Sequence, residues 1–375
     1  MTSATVADGI ARASDQAATR GRLAFADGLR GIAALWVVLF HLSEGHHVDA
    51  LKLHLAPLLV TIVFDLGHLG VGIFFVLSGF VMALTVDRAV VDARYAGRFL
   101  LRRLLRLTPP YWFAVAFCVL VLVMKSRALG QPLPDIGAAT LLAHAFYAQD
   151  MVGIANINIV FWTLCIEVQF YFAFALLLWL SDAMTGARPA HREVRLAVLG
   201  VVGLAALAWP LGILGGNPWR GGFLPFWYAY LAGVFTFWGW EHQGRRLVLA
   251  AAYAAAIGAA AVWRHDSFAA MVALTCAAIL LSAWRGGMGR WLSSRPFQFV
   301  GLVSYSLYLL HNPLTGMSFR VLNRLLPAGG VGPELVGVAV TLVVCLGAAW
   351  ACFLAIERPA IRMAHAIKLK KSAPR

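Results

Sequence analysis

Residues Ala26–His47 read ADGLRGIAALWVVLFHLSEGHH, an apolar run with an arginine near its start and a histidine near its end. A helix of roughly 20 such residues crosses the hydrocarbon layer of a bilayer, which is about 30 Å thick. Arg30 and His41 are eleven positions apart, about three turns, so they share one face of the helix. They are separated by roughly 16 Å along its axis. The stretch therefore predicts a transmembrane helix that carries two polar groups on one stripe.

The rest of the chain has the same apolar character. Of its 375 residues, 61% are hydrophobic and 13% are charged, and the mean hydropathy is +0.77. A soluble domain of this length needs far more polar surface. The composition predicts an all-α, polytopic transmembrane helical bundle. We expect about ten spans, at 24–43, 58–86, 109–124, 159–181, 196–215, 223–240, 247–263, 268–284, 298–320 and 334–356.

The positions of the basic residues predict the orientation. If the N-terminus is cytoplasmic, 24 of the 31 Lys and Arg residues fall on the cytoplasmic side and seven fall outside. This agrees with the positive-inside rule and makes both termini cytoplasmic. We expect an N-terminal tail at 1–22, a membrane domain at 23–362 and a basic tail at 363–375. Because the basic residues lie in short connections, the net charge of +14 does not indicate nucleic acid as a partner.

One apolar segment is too short to span. Residues 137–148, GAATLLAHAFYA, would also reverse the orientation of the basic loop that follows them if they crossed the membrane. We interpret them as a re-entrant or interfacial helix on the outer side.

Neither a metal site nor a disulfide is expected. All five cysteines lie inside apolar runs without a CxxC pair, which predicts buried free thiols. His46 and His47 follow His41, and His68 lies in the next expected span, but no carboxylate or cysteine completes a spacing typical of a metal site.

The first constellation of ionisable groups is Asp27, Arg30 and His41. Such groups cost several kcal/mol in hydrocarbon, so they indicate function or a specific partner. Asp27 precedes Arg30 by three residues and can pair with it. The alternative is an arginine that snorkels to the inner headgroups and a histidine at the outer interface.

The second constellation is the basic run RFLLRRLLRLTPPYW, just before Pro109–Pro110. Helical spacing places Arg98, Arg102 and Arg106 on one stripe, with Arg103 beside it. The run is either a surface helix that binds anionic membrane lipids or a clamp for the phosphates of a cytoplasmic ligand.

Two further spans carry polar groups. Glu167, in FWTLCIEVQFYF, has apolar neighbours, so it must face the bundle interior and meet a partner from another span, or be protonated. It is either a structural group or part of a polar reaction cavity. In SYSLYLLHNPL we expect His311-Asn312-Pro313 to interrupt the span. This is either a kinked packing helix or the lining of a cavity or acceptor site, with candidates Ser304, Tyr305, Tyr308, His311 and Asn312.

Together these motifs resemble the bacterial acyltransferase-3 family of integral-membrane acyltransferases. The family modifies sugars of O-antigens, exopolysaccharides and Nod factors, and some macrolides. The resemblance extends from residue 25 to 362 in the family's order. It rests on R-x10-H, GVGIFFVLSGFVM, RFLLRRLLRLTPPYW, FWTLCIEVQFYF, SYSLYLLHNPL and the closing ERPAIR at Glu357–Arg362.

The resemblance implies roles for these residues. Arg30 and His41 would be essential, with His41 the general base or the relay that passes the acyl group. Arg102, Arg103 and Arg106 would help to hold acyl-CoA, and Glu167 would be a further polar group of the site. An SGNH-type domain is absent, so the chain resembles the stand-alone members.

The implied reaction moves an acyl group, with acetyl-CoA the expected donor, to a hydroxyl of an acceptor. Acyl-CoA is a co-substrate, and no permanently bound cofactor is expected. The acceptor would be a carbohydrate, a lipid-linked glycan or a macrolide-type molecule. A multi-pass protein of the bacterial inner membrane is implied. The alternative is a proton-coupled transporter of a sugar or lipid-linked sugar, with Glu167 and His41 as proton carriers; the lack of internal repeats and the arginine belt disfavour it.

Overall fold

The computed structural model describes residues 23–185, 191–325 and 330–369, and these residues form a bundle of helices without strands. The α-helices are α1 (Ala24–Glu44), α2 (Asp49–Leu53), α3 (Pro57–Val63), α4 (Gly70–Val86), α5 (Ala93–Ala128), α6 (Ala138–Ala145), α7 (Trp162–Thr185), α8 (His191–Ala206), α9 (Trp227–His242), α10 (Gly244–Arg264), α11 (Ser267–Trp284), α12 (Arg295–Leu325), α13 (Val331–Cys352) and α14 (Arg358–Ala366). A π-helical turn at Phe353–Glu357 joins the last two, and 3₁₀ turns occupy Asp65–Leu69, Ile159–Phe161 and Leu224–Phe226.

The polytopic helical bundle is confirmed. By length and composition, seven helical segments in the described residues can cross a membrane: Ala24–Glu44, Pro57–Val86, Ala93–Ala128, Ile159–Thr185, Gly244–Arg264, Ser267–Trp284 and Val331–Ala366. The other three expected spans correspond to α8, α9 and α12. The count of ten and the cytoplasmic location of both termini stay predictions.

The fifth expected span is shorter than predicted. We expected a helix to residue 215, but α8 ends at Ala206 and the chain continues in turns. Pro210 lies just beyond this end, where its missing N–H and its ring prevent a further regular turn.

The basic run and the third span belong to one helix. The span was predicted to begin at Pro109, but α5 starts at Ala93 and continues through both prolines to Ala128. Asp92 caps its start, because its Oδ1 accepts a hydrogen bond from the Tyr95 N–H at 2.6 Å. The arginines therefore lie on a continuous, rigid extension of the membrane helix.

The expected interruption at Pro313 is wrong, because α12 is one helix through this residue. Proline has no N–H, so the Leu309 carbonyl loses its partner within the helix. Asn158 replaces that partner, since its Nδ2 donates to the Leu309 oxygen at 3.5 Å. A side chain from the segment before α7 thus satisfies the backbone and keeps the helix continuous.

Helices α1 and α12 cross in close contact. A methyl group on Gly31 would lie 2.7 Å from the Gly301 nitrogen, and one on Gly301 would overlap the Asp27 carbonyl oxygen. Small residues at a crossing let two membrane helices approach closely. The crossing brings the first polar stripe against the SYSLYLLHNPL segment.

Residues 137–148 contain the short helix α6, which is far too short to span. Its His144 is buried, with Nδ1 2.8 Å from the Thr140 oxygen and Nε2 accepting from the Ile157 N–H at 3.0 Å. The re-entrant or interfacial placement stays a prediction.

The five cysteines are buried free thiols, as predicted. Within the described residues, no group of three or more His, Cys, Asp or Glu side chains could hold a metal ion. The predicted tail 1–22 and the last residues of the basic tail, 370–375, lie outside the described residues.

Candidate functional site

The polar groups of five helices meet at one internal cavity of about 90 Å³. The cavity lies between α1, α4, α5, α7 and α12. Its charged and hydroxyl-bearing lining residues are Arg30, Ser78, Arg103, Arg106, Thr163, Glu167, Tyr171, Ser304, Tyr305 and Tyr308. Most of the expected site residues are therefore brought together by the fold.

Glu167 meets a partner from another span, as predicted. Its Oε1 accepts from Ser78 Oγ on α4 at 2.8 Å and from the Tyr171 hydroxyl, one turn further along α7, at 2.5 Å. Two hydroxyl donors hold the carboxylate at the cavity wall. No basic residue forms an ion pair with Glu167 among the described side chains, so the carboxylate can still respond to a ligand.

The arginines of α5 divide between two faces of the helix. Arg103 and Arg106 line the cavity, whereas Arg98 and Arg102 do not. The expected stripe of residues 98, 102 and 106 lies along one continuous helix, and Arg106 is its member that lines the cavity. Each step along an α-helix rotates the side chain by about 100°, so adjacent Arg102 and Arg103 diverge.

Arg103 is held firmly in the cavity wall. Its Nη2 donates to Thr85 Oγ1 at 2.7 Å, and its guanidinium carbon lies 5.5 Å from the ring centre of Phe99 and 5.8 Å from that of Tyr171. Aromatic faces favour a cation positioned over them. The guanidinium is thus anchored on one side and still reaches the cavity.

Arg30 lines the same cavity and faces a buried acid that we did not predict as a site residue. This acid is Glu357, which is 2% exposed and accepts from Ser306 Oγ at 2.6 Å. The guanidinium groups of Arg30 and Arg106 both act on it electrostatically. Arg30 therefore lines the interior cavity, and Asp27 lies beside it at the crossing with α12.

His41 lies apart from the cavity and packs against His311. Its Nδ1 is 2.7 Å from Glu44 Oε2, and its ring centre is 5.1 Å from that of His311, with 34° between the planes. Glu44 was not predicted. His311 is fully buried, and its Nε2 has no hydrogen-bond partner among the residues that the structure describes. The two expected histidines of α1 and α12 thus form a pair.

Tyr308 connects the cavity to this pair. It lines the cavity, its hydroxyl is 2.9 Å from Thr163 Oγ1, and its ring centre is 5.9 Å from that of His311. Ser304 and Tyr305 also line the cavity. The expected lining role of these three α12 residues is supported by their positions.

Asn312 lies elsewhere. Its Nδ2 donates to Asn158 Oδ1 at 3.0 Å, and it faces a second pocket that Lys125 and Arg320 also line. It follows His311 directly, but one residue rotates the side chain by about 100° around the helix. Asn312 therefore does not share the cavity with Tyr308.

The segment after α1, which includes the short helix α2, is tied to α1, α12 and α13. Lys52 Nζ donates to Ser43 Oγ at 2.8 Å, and the backbone N–H of Leu51 donates to Glu334 Oε2 at 2.6 Å. His47 stacks on Phe319 with ring centres 4.3 Å apart. Burial lowers the pKa of His47, with the charge of Asp49 acting in the opposite direction.

Sequence reasoning missed five residues that complete these contacts. They carried little signal in the sequence, except that Tyr171 follows Glu167 at the i+4 position. They are Glu44, Ser78, Thr163, Tyr171 and Glu357.

Comparison with known proteins identifies a family that covers most of the chain. The family model described as an acyltransferase domain matches residues 23–356. The exopolysaccharide production protein ExoZ of Rhizobium meliloti is 31% identical over 146 residues, 37% of this chain and 38% of that protein. The putative membrane-bound transacylase BcsY of Komagataeibacter xylinus is 29% identical over 317 residues, 76% of this chain and 71% of that protein.

The chain thus spans little more than a third of the first relative. No solved structure matches the chain. The family match covers nearly all of the described residues, including Arg30, His41, Glu167 and the basic run of α5. The chain is a multi-pass membrane protein that belongs to the acyltransferase-3 family of membrane acyltransferases.

Proposed function

We propose that the protein transfers an acyl group, in the simplest case acetyl, from acyl-CoA to a hydroxyl of a carbohydrate or other glycosylated acceptor. The observation that carries this proposal is the cavity in which Arg30, Arg103 and Arg106 meet Glu167, beside the His41–His311 pair. A relative named as an exopolysaccharide production protein supports a carbohydrate acceptor.

The arginines suit the donor. Guanidinium groups bind phosphates in two-point geometry, and CoA carries several phosphates on its nucleotide end. On the predicted topology, the end of the bundle that carries these arginines faces the cytoplasm, where CoA is found. A cavity of about 90 Å³ is too small for a whole nucleotide, so we place the CoA phosphates against the arginine side chains at the cavity wall, with only the acyl-bearing arm inside.

The histidine supplies the base. The acceptor hydroxyl must lose its proton as its oxygen attacks the thioester carbon, and an imidazole that titrates near neutrality is suited to this task. Glu44 takes the Nδ1–H of His41 and leaves Nε2 as the basic atom. Since His41 does not line the donor cavity, the acyl group must pass Tyr308 to reach the acceptor.

The direct test is release of free CoA thiol from acetyl-CoA by purified protein in nanodiscs with candidate glycans. We expect release that depends on the glycan and is abolished in His41→Ala, with folded protein retained in the membrane. His68→Gln is the matched control: this nearby histidine is exposed and its Nδ1 is 2.9 Å from the Asp65 carbonyl.

Two outcomes would overturn the proposal. Full activity in His41→Ala would show that His41 is not the general base. No thiol release with any glycan, together with proton-driven uptake of a sugar into vesicles, would instead favour the transporter alternative. In cells, surface glycans of a deletion strain should lose an O-acyl group, measured by mass spectrometry.

A further inference from the structure

We propose that His311 shares with His41 the proton of the acyl transfer, and that Glu44 positions His41 for this exchange. The inference rests on the function proposed above and deepens it. It makes His311 of α12 a group that holds a proton, whereas the sequence predicts that His311 lines a cavity or the acceptor site.

The hydrogen bonds of His311 define which of its nitrogens is basic. Nδ1 is 2.8 Å from the Tyr308 oxygen and 3.2 Å from the Leu307 oxygen. Carbonyl oxygens only accept, so Nδ1 carries the hydrogen and Nε2 carries a lone pair. That Nε2 is buried and has no partner among the described side chains.

A buried imidazole nitrogen without a partner is unusual, because the lost hydration is not compensated. His144 of the same chain shows how a buried imidazole usually satisfies both nitrogens. Its Nδ1 bonds to the Thr140 oxygen, and its Nε2 accepts from the Ile157 N–H. A histidine kept only for packing would be expected to resemble His144. His311 instead keeps a basic atom beside His41.

The contact is specific and rigid. The ring centres of His41 and His311 are 5.1 Å apart, and the Gly31–Gly301 crossing fixes the two helices that carry them. His41 is 11% exposed and His311 is fully buried. Two imidazolium ions at this distance would repel strongly in an apolar interior, so the pair accepts one proton rather than two.

Few other groups face the pair. Glu44 of α1 is hydrogen-bonded to His41 Nδ1, and Cys345 of α13 approaches the backbone oxygen of His311 at 3.9 Å. Thr315 Oγ1 donates to that same oxygen at 2.8 Å. Among the described side chains, none of these groups contacts His311 Nε2, and the Glu44 carboxylate bonded to His41 can balance a proton on the pair.

The proton balance of the step is then complete. The acceptor oxygen forms a bond to the thioester carbon while its proton moves to His41 Nε2. The C–S bond breaks and the electron pair leaves with sulfur. The proton, shared between Nε2 of His41 and Nε2 of His311, passes to the thiolate and yields free CoA. No oxidant or reductant is needed, and the pair returns to its starting state.

The kinetic test uses His311→Gln and His311→Ala in the full chain. We expect kcat for acyl transfer to fall by about 10²-fold in both, within the range typical of a lost acid–base group. KM for acyl-CoA should change less than about twofold, because His311 does not line the donor cavity. Restoration of kcat to within a few-fold by glutamine would show a packing role and overturn the proposal. His68→Gln serves again as the control.

A spectroscopic test needs no acyl transfer and separates this inference from the proposed function. In ¹⁵N-histidine NMR of the protein in nanodiscs, His41 and His311 should together take up one proton rather than two as the pH is lowered. His311→Gln should shift the titration midpoint of His41, whereas His68→Gln should leave it unchanged. If CoA thiol release fails but the titrations of His41 and His311 are coupled, the proton-sharing pair is supported and the proposed acyl transfer is wrong. An unchanged His41 midpoint in His311→Gln would overturn the pair.

Discussion

Two carboxylates on helix α7 have opposite environments. Glu167 is held by the hydroxyls of Ser78 and Tyr171 and lines the central cavity. Asp182, fifteen residues and about 22 Å further along the helix, is locked against Arg195, with the two side chains 2% and 3% exposed. The two carboxylates on one helix thus have different environments, according to whether the partner is a charged group.

The Asp182 site is a closed structural unit. Arg195 Nε donates to Asp182 Oδ1 at 2.7 Å, and the Val91 N–H donates to Oδ2 at 2.6 Å. Arg195 Nη2 also donates to the Ala89 oxygen at 2.7 Å. Each Arg195 nitrogen and each Asp182 oxygen has a hydrogen-bond partner, so the site ties α7 and α8 to the loop after α4.

The largest expected effect is at this ion pair. Asp182→Ala leaves the Arg195 charge buried and uncompensated, which should destabilise the protein by about 3–5 kcal/mol. Thermal unfolding in detergent, followed by tryptophan fluorescence, measures the change. The double variant Asp182→Ala with Arg195→Met should recover part of the loss. An unfolding curve identical to that of the wild type would show that the pair is not structural.

The next effect sharpens the contrast on the same helix. Glu167→Gln preserves an oxygen that can accept from Ser78 and Tyr171, so the melting temperature should change little. Acyl transfer should fall by about 10²-fold, because the carboxylate charge is lost at the cavity. CoA thiol release per folded molecule is the measurement. A large fall in melting temperature with unchanged transfer would make Glu167 a structural group like Asp182.

A smaller effect separates the two faces of α5. Arg103→Lys keeps the charge but loses the planar group that reaches Thr85 and the aromatic rings, so KM for acyl-CoA should rise about tenfold. Arg98→Lys, on the same helix but away from the cavity, is the matched control and should leave KM unchanged. Equal effects of the two substitutions would indicate a general basic surface in place of a donor site.

Much of the site could be predicted from single residues in an apolar setting. Arg30, His41 and Glu167 were conspicuous because charge in hydrocarbon requires a reason, and Glu167 was correctly expected to meet a partner from another span. The partner itself was not predictable, because Ser78 is an ordinary hydroxyl on α4, 89 positions away. Glu44 and Glu357 lie at span ends, where an acid is unremarkable.

Helical periodicity was a weaker guide. It grouped Arg98, Arg102 and Arg106 on one stripe but could not identify the face of α5 that meets the cavity, and that face carries Arg103 and Arg106. It also did not predict that Asn158 donates a hydrogen bond to the Leu309 carbonyl, which Pro313 leaves without a helical partner, so that α12 stays continuous. Both results depend on which neighbour occupies the space beside a helix, a property that no local pattern records.

The sequence by itself determined the membrane bundle and the polar groups that require an explanation. Long apolar runs are unfavourable in contact with water, and charges inside the membrane are costly without a partner or a role. Only the tertiary structure decided how those groups meet. The contact of His41 with His311 exists because Gly31 and Gly301 let α1 and α12 cross closely. Asp182 and Glu167 differ because one meets a guanidinium and the other meets two hydroxyls.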